Sequence, residues 1–360
     1  MDTYSGTRTP STLPFDPARL QAFLQQHLDG LEGPLTIEQF KGGQSNPTYR
    51  LTTPGMRCVM RSKPGPVDKL LPSAHAIERE FRVMKALADS EVPVARMHVL
   101  CEDESVIGRA FYIMEHVDGR VLWDQSLPGM SLAERGAIYD EMNRVLAALH
   151  NVDVRALGLA DYGKPGSYFD RQIGRWSKQY AASITQPIEA MDRLIEWLPA
   201  HMPASAKDDT QVSIVHGDYR LDNLMFHPIE PRVLAVLDWE LSTLGHPLAD
   251  FSYHCMAWHI KPGAFRGIGG LDLNKLGIPS EEAYIDVYCQ RTGRTAPQAR
   301  SALARDWNFY LAYNLFRMAA ILQGIAKRVE DGTAASEQAR QAGAGARPLA
   351  ELGWQFAQRA

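Results

Sequence analysis

Apolar positions recur along this chain in two rhythms, one helical and one alternating. Between residues 16 and 28, Leu20, Phe23, Leu24 and Leu28 fall at helical spacing behind Asp16 and Pro17. An N-cap followed by proline in the first turn predicts a short amphipathic helix there. Strand-like pieces follow at 35–40, 47–53 and 57–62, separated by Gly-Gly and Pro-Gly turns, and read as an antiparallel meander. Residues 73–89 read as a helix whose Ile77–Met84–Leu87 stripe is widened by Phe81 and Ala88. Strands are predicted at 94–103 and 109–117. Helices then dominate, at 131–152, around 168–199 and repeatedly from 280 to 358, interrupted by short apolar strands at 212–216 and 233–239. The Ala/Gly/Gln-rich stretch 333–346 reads as a helix with a loop, and no internal repeat is found. A meander with one helix, followed by mainly helical chain, is a segregated α+β pattern. It divides into a leader over 1–15, a first lobe over 16–117 and a second over 118–360, with ligand sites expected where the lobes join.

Composition narrows the class. Hydrophobic residues make up 45% and charged residues 22% of 360, which is globular and excludes collagen-like or disordered chains. Lys plus Arg (38) against Asp plus Glu (42) leaves −4, so no global charge favours nucleic acid as a partner. No apolar run reaches the ~18–20 residues of a membrane span, and the polar first residues do not read as a signal peptide. Cys58, Cys101, Cys255 and Cys289 are scattered without CxxC spacing, which suits reduced thiols in a cytoplasmic protein. A soluble cytoplasmic enzyme is the expectation.

The densest chemistry lies in 214–240, IVHGDYRLDNLMFHPIEPRVLAVLDWE. A short strand delivers His216-Gly217-Asp218 into a loop, Asn223 follows five residues after Asp218, and a second strand ends at Asp238. These three side chains are expected to converge from the ends of adjacent strands. Asp and Asn oxygens are hard ligands suited to Mg²⁺, which engages phosphates rather than an all-protein cage. The spacing matches the layout of kinase phosphoryl transfer, in which the first Asp orients a hydroxyl and the Asn and second Asp hold the metal on ATP. The competing reading is a β-hairpin whose polar turn residues only cap.

With HGDYRLDN and VLDWELSTLGHPLAD, the chain resembles the aminoglycoside phosphotransferase/choline kinase-like family, which shares the protein-kinase architecture. Its wording is similar to the branch found free-standing in bacteria and fused elsewhere to acyl-CoA dehydrogenases. The resemblance covers most of 30–350. It implies a glycine-rich phosphate loop, here Gly42 and Gly43 with Ser45 and Asn46, and a strand cation on the donor phosphates. The family uses Lys there. This chain offers Arg61 at the matching position, with Lys63 two residues on, and Arg is bulkier and geometrically stricter than Lys. The carboxylate partner is expected to be Glu80, in the sheet-facing row, rather than Glu78 about 200° round the helix. The resemblance also implies a connecting segment at 111–122, where the Glu115 carbonyl and Val117 amide meet adenine. Residues 41–85 carry nine Lys/Arg against three Asp/Glu, a local positive excess around the phosphate loop.

Departures bear on the acceptor. Gly217 replaces the Arg of the protein-kinase His-Arg-Asp, so no phosphorylated activation loop can pair there. Eleven residues separate Asp238 from Asp250 and no Ala-Pro-Glu follows, so the segment that seats a peptide is missing and the partner is a small-molecule hydroxyl acceptor. Arg220 is placed to touch the γ-phosphate, while His246 and Asp250 read as braces of the catalytic loop. Residues 160–210 hold seven Asp/Glu and six Lys/Arg, not the acidic trap that polycationic aminoglycosides need. Arg171, Arg175 and Lys178 gather beside Tyr168, Phe169, Trp176 and Tyr180, a face for an anionic, partly apolar acceptor. The branch kinship implies a hydroxyacyl-CoA-like acceptor and a link to acyl-CoA metabolism. Two alternatives stand beside this ATP/Mg²⁺ kinase: a nucleotide-binding pseudo-kinase scaffold and, disfavoured, an aminoglycoside kinase.

Overall fold

The computed structural model describes residues 6–41, 46–65, 76–164, 166–263, 266–333 and 336–360. They pack as two compact units. The first comprises Met1–Trp123, Val154–Tyr162 and Arg220–Ser242; the second comprises Asp124–Asp153, Gly163–Tyr219 and Thr243–Ala360. This differs from the expected division at 117, because two later stretches pack with the first unit.

In the first unit the chain builds β1 (Thr7–Arg8), α1 (Pro17–His27), β2 (Thr36–Phe40), β3 (Thr48–Thr52), β4 (Arg57–Ser62), α2 (Ile77–Leu87), β5 (Met97–Cys101), α3 (Glu104–Ile107), β6 (Phe111–Glu115) and β7 (Arg120–Val121). Asp16 caps α1 as expected, accepting from the Ala18 amide at 2.8 Å. Of the predicted helix 73–89, residues 73–75 lie outside the described residues. The leader is a correction: Thr7 and Arg8 pair with Phe40 and Gln39 as an edge strand, and Phe15 packs edge-on against Tyr49. A two-residue edge strand has too few positions to show a hydrophobic period.

The main sheet runs β1-β2-β3-β4-β6-β5, every pair antiparallel. Side chains alternate across it. Tyr49, Leu51, Cys58, Met60, Phe111 and Ile113 point to one face, where they form a core with Leu20 and Leu24 of α1. Thr48, Arg50, Val59, Arg61, Tyr112 and Met114 point to the other. Thr48 sits opposite Arg61, and Arg61 opposite Tyr112.

The chain continues through α4 (Leu132–His150), α5 (Tyr168–Ser183), α6 (Glu189–Ala200) and β8 (Ser213–Val215) in the second unit, then returns to the first with β9 (Leu224–Phe226) and β10 (Val233–Val236). It ends in the second unit with β11 (Thr243–Gly245), α7 (Pro247–Cys255), α8 (Leu273–Leu276), α9 (Glu281–Arg291), α10 (Pro297–Glu330), α11 (Glu337–Ala344) and α12 (Ala346–Ala357). β10, β9 and β7 form one small sheet and β11 with β8 another. The two strands flanking the HGD and DWE motifs therefore do not pair with each other, which corrects the expected adjacency; the antiparallel hairpin in this stretch is β9 with β10. β7 approaches β9 so closely that a Cβ on Gly119 would lie 2.6 Å from the Phe226 carbonyl oxygen.

In the second unit α10 is the axis, with α5, α6, α7, α11 and α12 against it. Its residues 309–320 are all buried. Ser131 and Glu134 form a reciprocal capping box at the start of α4. Among the described residues no helix is long and apolar enough to cross a membrane.

Candidate functional site

A cavity of about 290 Å³ opens within the first unit, on the sheet face turned away from α1. Phe40, Val59, Met114, Val121, Met225 and Val236 give it apolar walls, and Arg61, Glu80 and Asp238 form a charged end. Glu115 and Val117, singled out from the connecting segment, both line it. The glycine-rich loop residues Gly42, Gly43 and Ser45 lie outside the described residues. Asn46 is buried and donates from Nδ2 to Glu80 Oε1 at 2.9 Å.

Arg61 gathers three carboxylates. Its Nε lies 3.1 Å from Glu80 Oε2, and its terminal nitrogen donates to Asp238 Oδ1 at 3.0 Å and lies 3.5 Å from Glu80's neighbour in the cluster, Glu240. Strand alternation puts Arg61 on the cavity face, and the helical row puts Glu80 against it. The guanidinium is 12% exposed and the Glu80 side chain 3%. Burial pushes the Glu80 carboxyl above its ordinary value, against the opposing pull of Arg61 and of the Tyr112 and Asn46 donors. For Arg61, burial favours loss of the proton, but Glu80, Tyr112, Asp238 and Glu240 outweigh it and hold the guanidinium charged. Lys63 follows the end of β4, does not line the cavity and pairs with Glu78, both groups partly exposed. A pair so exposed to solvent contributes little.

Asn223 and Asp238 come from the turns flanking β9 and β10. The Leu237 amide donates to the Asn223 carbonyl at 2.8 Å, joining the two turns, and Asn223 is nearly fully buried. Asp238 adopts left-handed backbone, φ 63° and ψ 62°, a conformation that costs an L-residue energy and clusters at functional positions. The donor set fits Mg²⁺: one carboxylate and one amide oxygen leave room for phosphate oxygens and water. Among the described residues no group of three or more His, Cys, Asp or Glu is assembled to hold a metal unaided. Arg220 lies 3.7 Å from Asp222 and is partly exposed.

Asp218 belongs to the second unit, in the loop after β8. Gly217 has φ 84°, which explains why glycine rather than arginine stands before the aspartate. Asp250 of α7 accepts the amides of His216 and Gly217, the latter at 2.7 Å, so its bracing role is as read from sequence. Burial would raise the Asp250 carboxyl, but His150, His216 and the Gly217 amide hold it below its ordinary value. His246 caps α7 by accepting the Leu248 amide at 3.2 Å. Two further residues act on this loop without having been anticipated. Tyr253 donates to Asp218 Oδ1 at 2.5 Å, and buried Arg317 of α10 donates to the Gly217 carbonyl at 2.6 Å while lying over the Tyr253 ring. Tyr253 was within reach of the pattern, since it lies three residues after Asp250 and so on the same helical face. Arg317, a hundred positions away from Gly217, carried no local signal.

The expected acceptor face on α5 is corrected. Phe169, Trp176 and Tyr180 are buried, whereas Arg175 and Lys178 are exposed and Arg171 donates to the Lys164 carbonyl. At ~100° per residue the three cations fall within about 60° of one another and these three aromatics on the opposite side. One helix face cannot present both.

A model of the phosphotransferase enzyme family matches residues 36–301. The acyl-CoA dehydrogenase family member 10 of Mus musculus is 48% identical over 345 residues, 94% of this chain and 31% of that protein. The chain spans less than half the length of the curated relatives it matches. The crystal structure of a candidate aminoglycoside phosphotransferase from Ralstonia eutropha JMP134 is 65% identical with a TM-score of 0.87, covering 96% of this chain and 99% of that one. A thermostable mutant of aminoglycoside phosphotransferase APH(4)-Ia, in ternary complex with AMP-PNP and hygromycin B, is 14% identical with a TM-score of 0.59, covering 94% and 98%, and shares the fold. The α+β architecture, an N-terminal antiparallel sheet followed by a helical C-terminal part, is kinase-like, and the chain belongs to the phosphotransferase enzyme family.

Proposed function

We propose that this protein moves the γ-phosphoryl group of Mg-ATP to a hydroxyl of a small molecule. The observation that carries the reading is the apolar cavity of the first unit ending in Arg61, Glu80 and Asp238. An apolar slot suits a purine, and a charged end suits its phosphates. The AMP-PNP held by the similarly folded APH(4)-Ia supports ATP as donor.

In this reading the Glu115 carbonyl and Val117 amide bind the adenine edge. Arg61, steadied by Glu80, grips the donor phosphates, and Asn46 with the glycine-rich loop covers them. Asn223 and Asp238 hold Mg²⁺, which when bound neutralises phosphate charge. Arg220 contributes to the γ-phosphate. Asp218 accepts the hydrogen bond of the acceptor hydroxyl and takes its proton as the oxygen attacks the γ-phosphorus and the bond to the bridging oxygen breaks, releasing ADP. Tyr253 and Arg317 hold that carboxylate and its loop in place. Positioning and charge supply most of the rate.

The acceptor class we infer is a hydroxyacyl-CoA-like anion, supported by the relatives named as acyl-CoA dehydrogenase family members. The catalytic role of the second unit, through Asp218, belongs to the same proposal. An ATP-turnover screen with hydroxyacyl-CoAs, sugars, amino alcohols and aminoglycosides tests it. Turnover is expected with a hydroxyacyl-CoA. Turnover confined to aminoglycosides would overturn the acceptor class, and ATP binding with no turnover of any acceptor would favour a scaffold.

A further inference from the structure

Between α4 and α5 the chain leaves the helical unit, and residues Val154–Tyr162 pack instead with the first unit. No motif marks this excursion, yet it ends on a tyrosine that is 1% exposed. The Tyr162 hydroxyl lies 2.7 Å from Ser242 Oγ and 3.3 Å from the Arg79 carbonyl oxygen of α2. Ser242 Oγ donates in turn to the Trp239 carbonyl at 2.6 Å, and Trp239 follows Asp238 directly. With the Ser242 proton on the Trp239 carbonyl, the single phenol proton goes to Ser242 Oγ, so Tyr162 is bonded to the turn that carries Asp238 while its oxygen lies against the backbone of α2, next to Glu80.

The outer side of the excursion repeats the connection. The Arg79 guanidinium stacks over the Tyr162 ring at 4.2 Å and donates to the Tyr162 carbonyl at 2.7 Å. Arg82, one helical step on, donates to the Gly158 carbonyl at 2.8 Å and pairs with Asp161. Helix α2 needs such an anchor, because its N-cap is Ala76, which has no side chain able to cap. Asp238 needs one as well, since a left-handed aspartate persists only where its surroundings over-determine it.

We propose that Tyr162 is a positioning residue, the keystone of a latch that sets the spacing of Glu80, Arg61 and Asp238. This inference rests on the reading of Asp238 as a metal-holding residue. It adds that the geometry of that residue is imposed from the 154–162 excursion.

The test is calorimetric titration of the full chain with ATP, with and without MgCl₂, alongside thermal unfolding. Tyr162→Phe removes the hydroxyl and keeps the ring. It should stay folded, bind ATP alone within about twofold of wild type, and lose about tenfold in affinity for MgATP, the loss of one buried hydrogen bond. Arg79→Ala should show the same metal-selective loss at a few-fold, and Arg79→Lys should recover part of it. Asp238→Ala, run in parallel, separates the two possible failures. If it keeps the magnesium-dependent gain in affinity, the metal assignment is wrong and the latch falls with it. If it loses that gain while Tyr162→Phe keeps it, the latch alone is overturned. Equal weakening of ATP and MgATP by Tyr162→Phe would also reject the proposal, because a merely structural residue has no reason to distinguish them.

Discussion

Asp238 and Asp218 are both aspartates at the end of a short strand, yet the protein holds them by different means. Asp238 takes the left-handed backbone itself and stands in a knot of formal charges, bonded to Arg61, which also meets Glu80 and Glu240. In the loop before Asp218 the left-handed turn falls on Gly217, so the aspartate carries no such strain. Its loop is braced by hydrogen bonds: Asp250 on the amides, Arg317 on the Gly217 carbonyl and Tyr253 on the carboxylate. A group proposed to hold a dication can afford neighbouring cations that are exchanged when metal binds. A group proposed to receive a proton from a neutral hydroxyl is better served by fixed, pre-aligned donors. The contrast is between a cluster of formal charges around Arg61 and a loop set by hydrogen bonds.

The largest expected effect separates the two aspartates outright. Asp218→Asn should cut phosphoryl transfer on the order of a thousandfold while MgATP affinity stays near wild type. Asp238→Ala should abolish Mg²⁺-dependent nucleotide binding. If calorimetry and turnover show the two variants failing in the same way, the division of labour is wrong.

Breaking the charge cluster comes next. Arg61→Ala should destabilise the fold by about 3–5 kcal/mol, since it leaves the buried Glu80 carboxylate without its cation, and Glu80→Ala by less, since Asp238 and Glu240 remain on Arg61. The double variant should cost clearly less than the two added together, because the residues act as one unit. Denaturant titrations giving simple additivity would show that the pair is not coupled.

The second unit should respond to acid. Burial pushes both His246 and His254 down to about 4. His246 is satisfied as a neutral ring, accepting the Leu248 amide on Nδ1 and meeting the Ser205 carbonyl on Nε2. Below the ordinary histidine value near 6.5 the unfolded chain takes up protons that the folded one refuses. Stability should therefore be level above about pH 7 and fall as pH drops from ~6.5 to ~4, by about 3 kcal/mol per histidine at the low end. His246→Asn should flatten part of that slope in thermal melts across pH.

The smallest effect is conformational. Gly217→Ala should cost about 1–2 kcal/mol, because alanine is strained where φ is 84°. Asp238→Asn should cost much less through its backbone, since Asn tolerates the left-handed region. Melting curves of the two variants would reverse that order if the strain were distributed otherwise.

Local pattern carried much of the candidate site. The family resemblance pointed to Arg61 on β4 and to a carboxylate partner on α2, and the helical row chose Glu80 over Glu78; the structure brings those two side chains together. The same helical arithmetic, had it been extended to the aromatics of α5, would have separated Arg175 and Lys178 from Trp176 and Tyr180. Strands of three residues such as β9 and β11 carry too few positions to show a period, and without them the strands flanking the two motifs read as neighbours. Thr7 and Arg8 pair with β2 through backbone and polar side chains, to Glu38 and Gln39, over two positions only, too few to show an apolar period.

What the sequence determined by itself was whatever depends on neighbours a few residues apart: the capped helix at Asp16, the alternating meander, the spacing of Asp218, Asn223 and Asp238, and the glycine that frees the loop before Asp218. The tertiary structure decided which distant groups answer those residues. Arg317 reaches Gly217 from a hundred positions away, Tyr253 reaches Asp218 from thirty-five, and Tyr162 reaches Ser242 from eighty. Each of these is a buried polar group that must find a partner wherever folding brings one, because leaving it unpaired in the interior costs more than any local preference supplies.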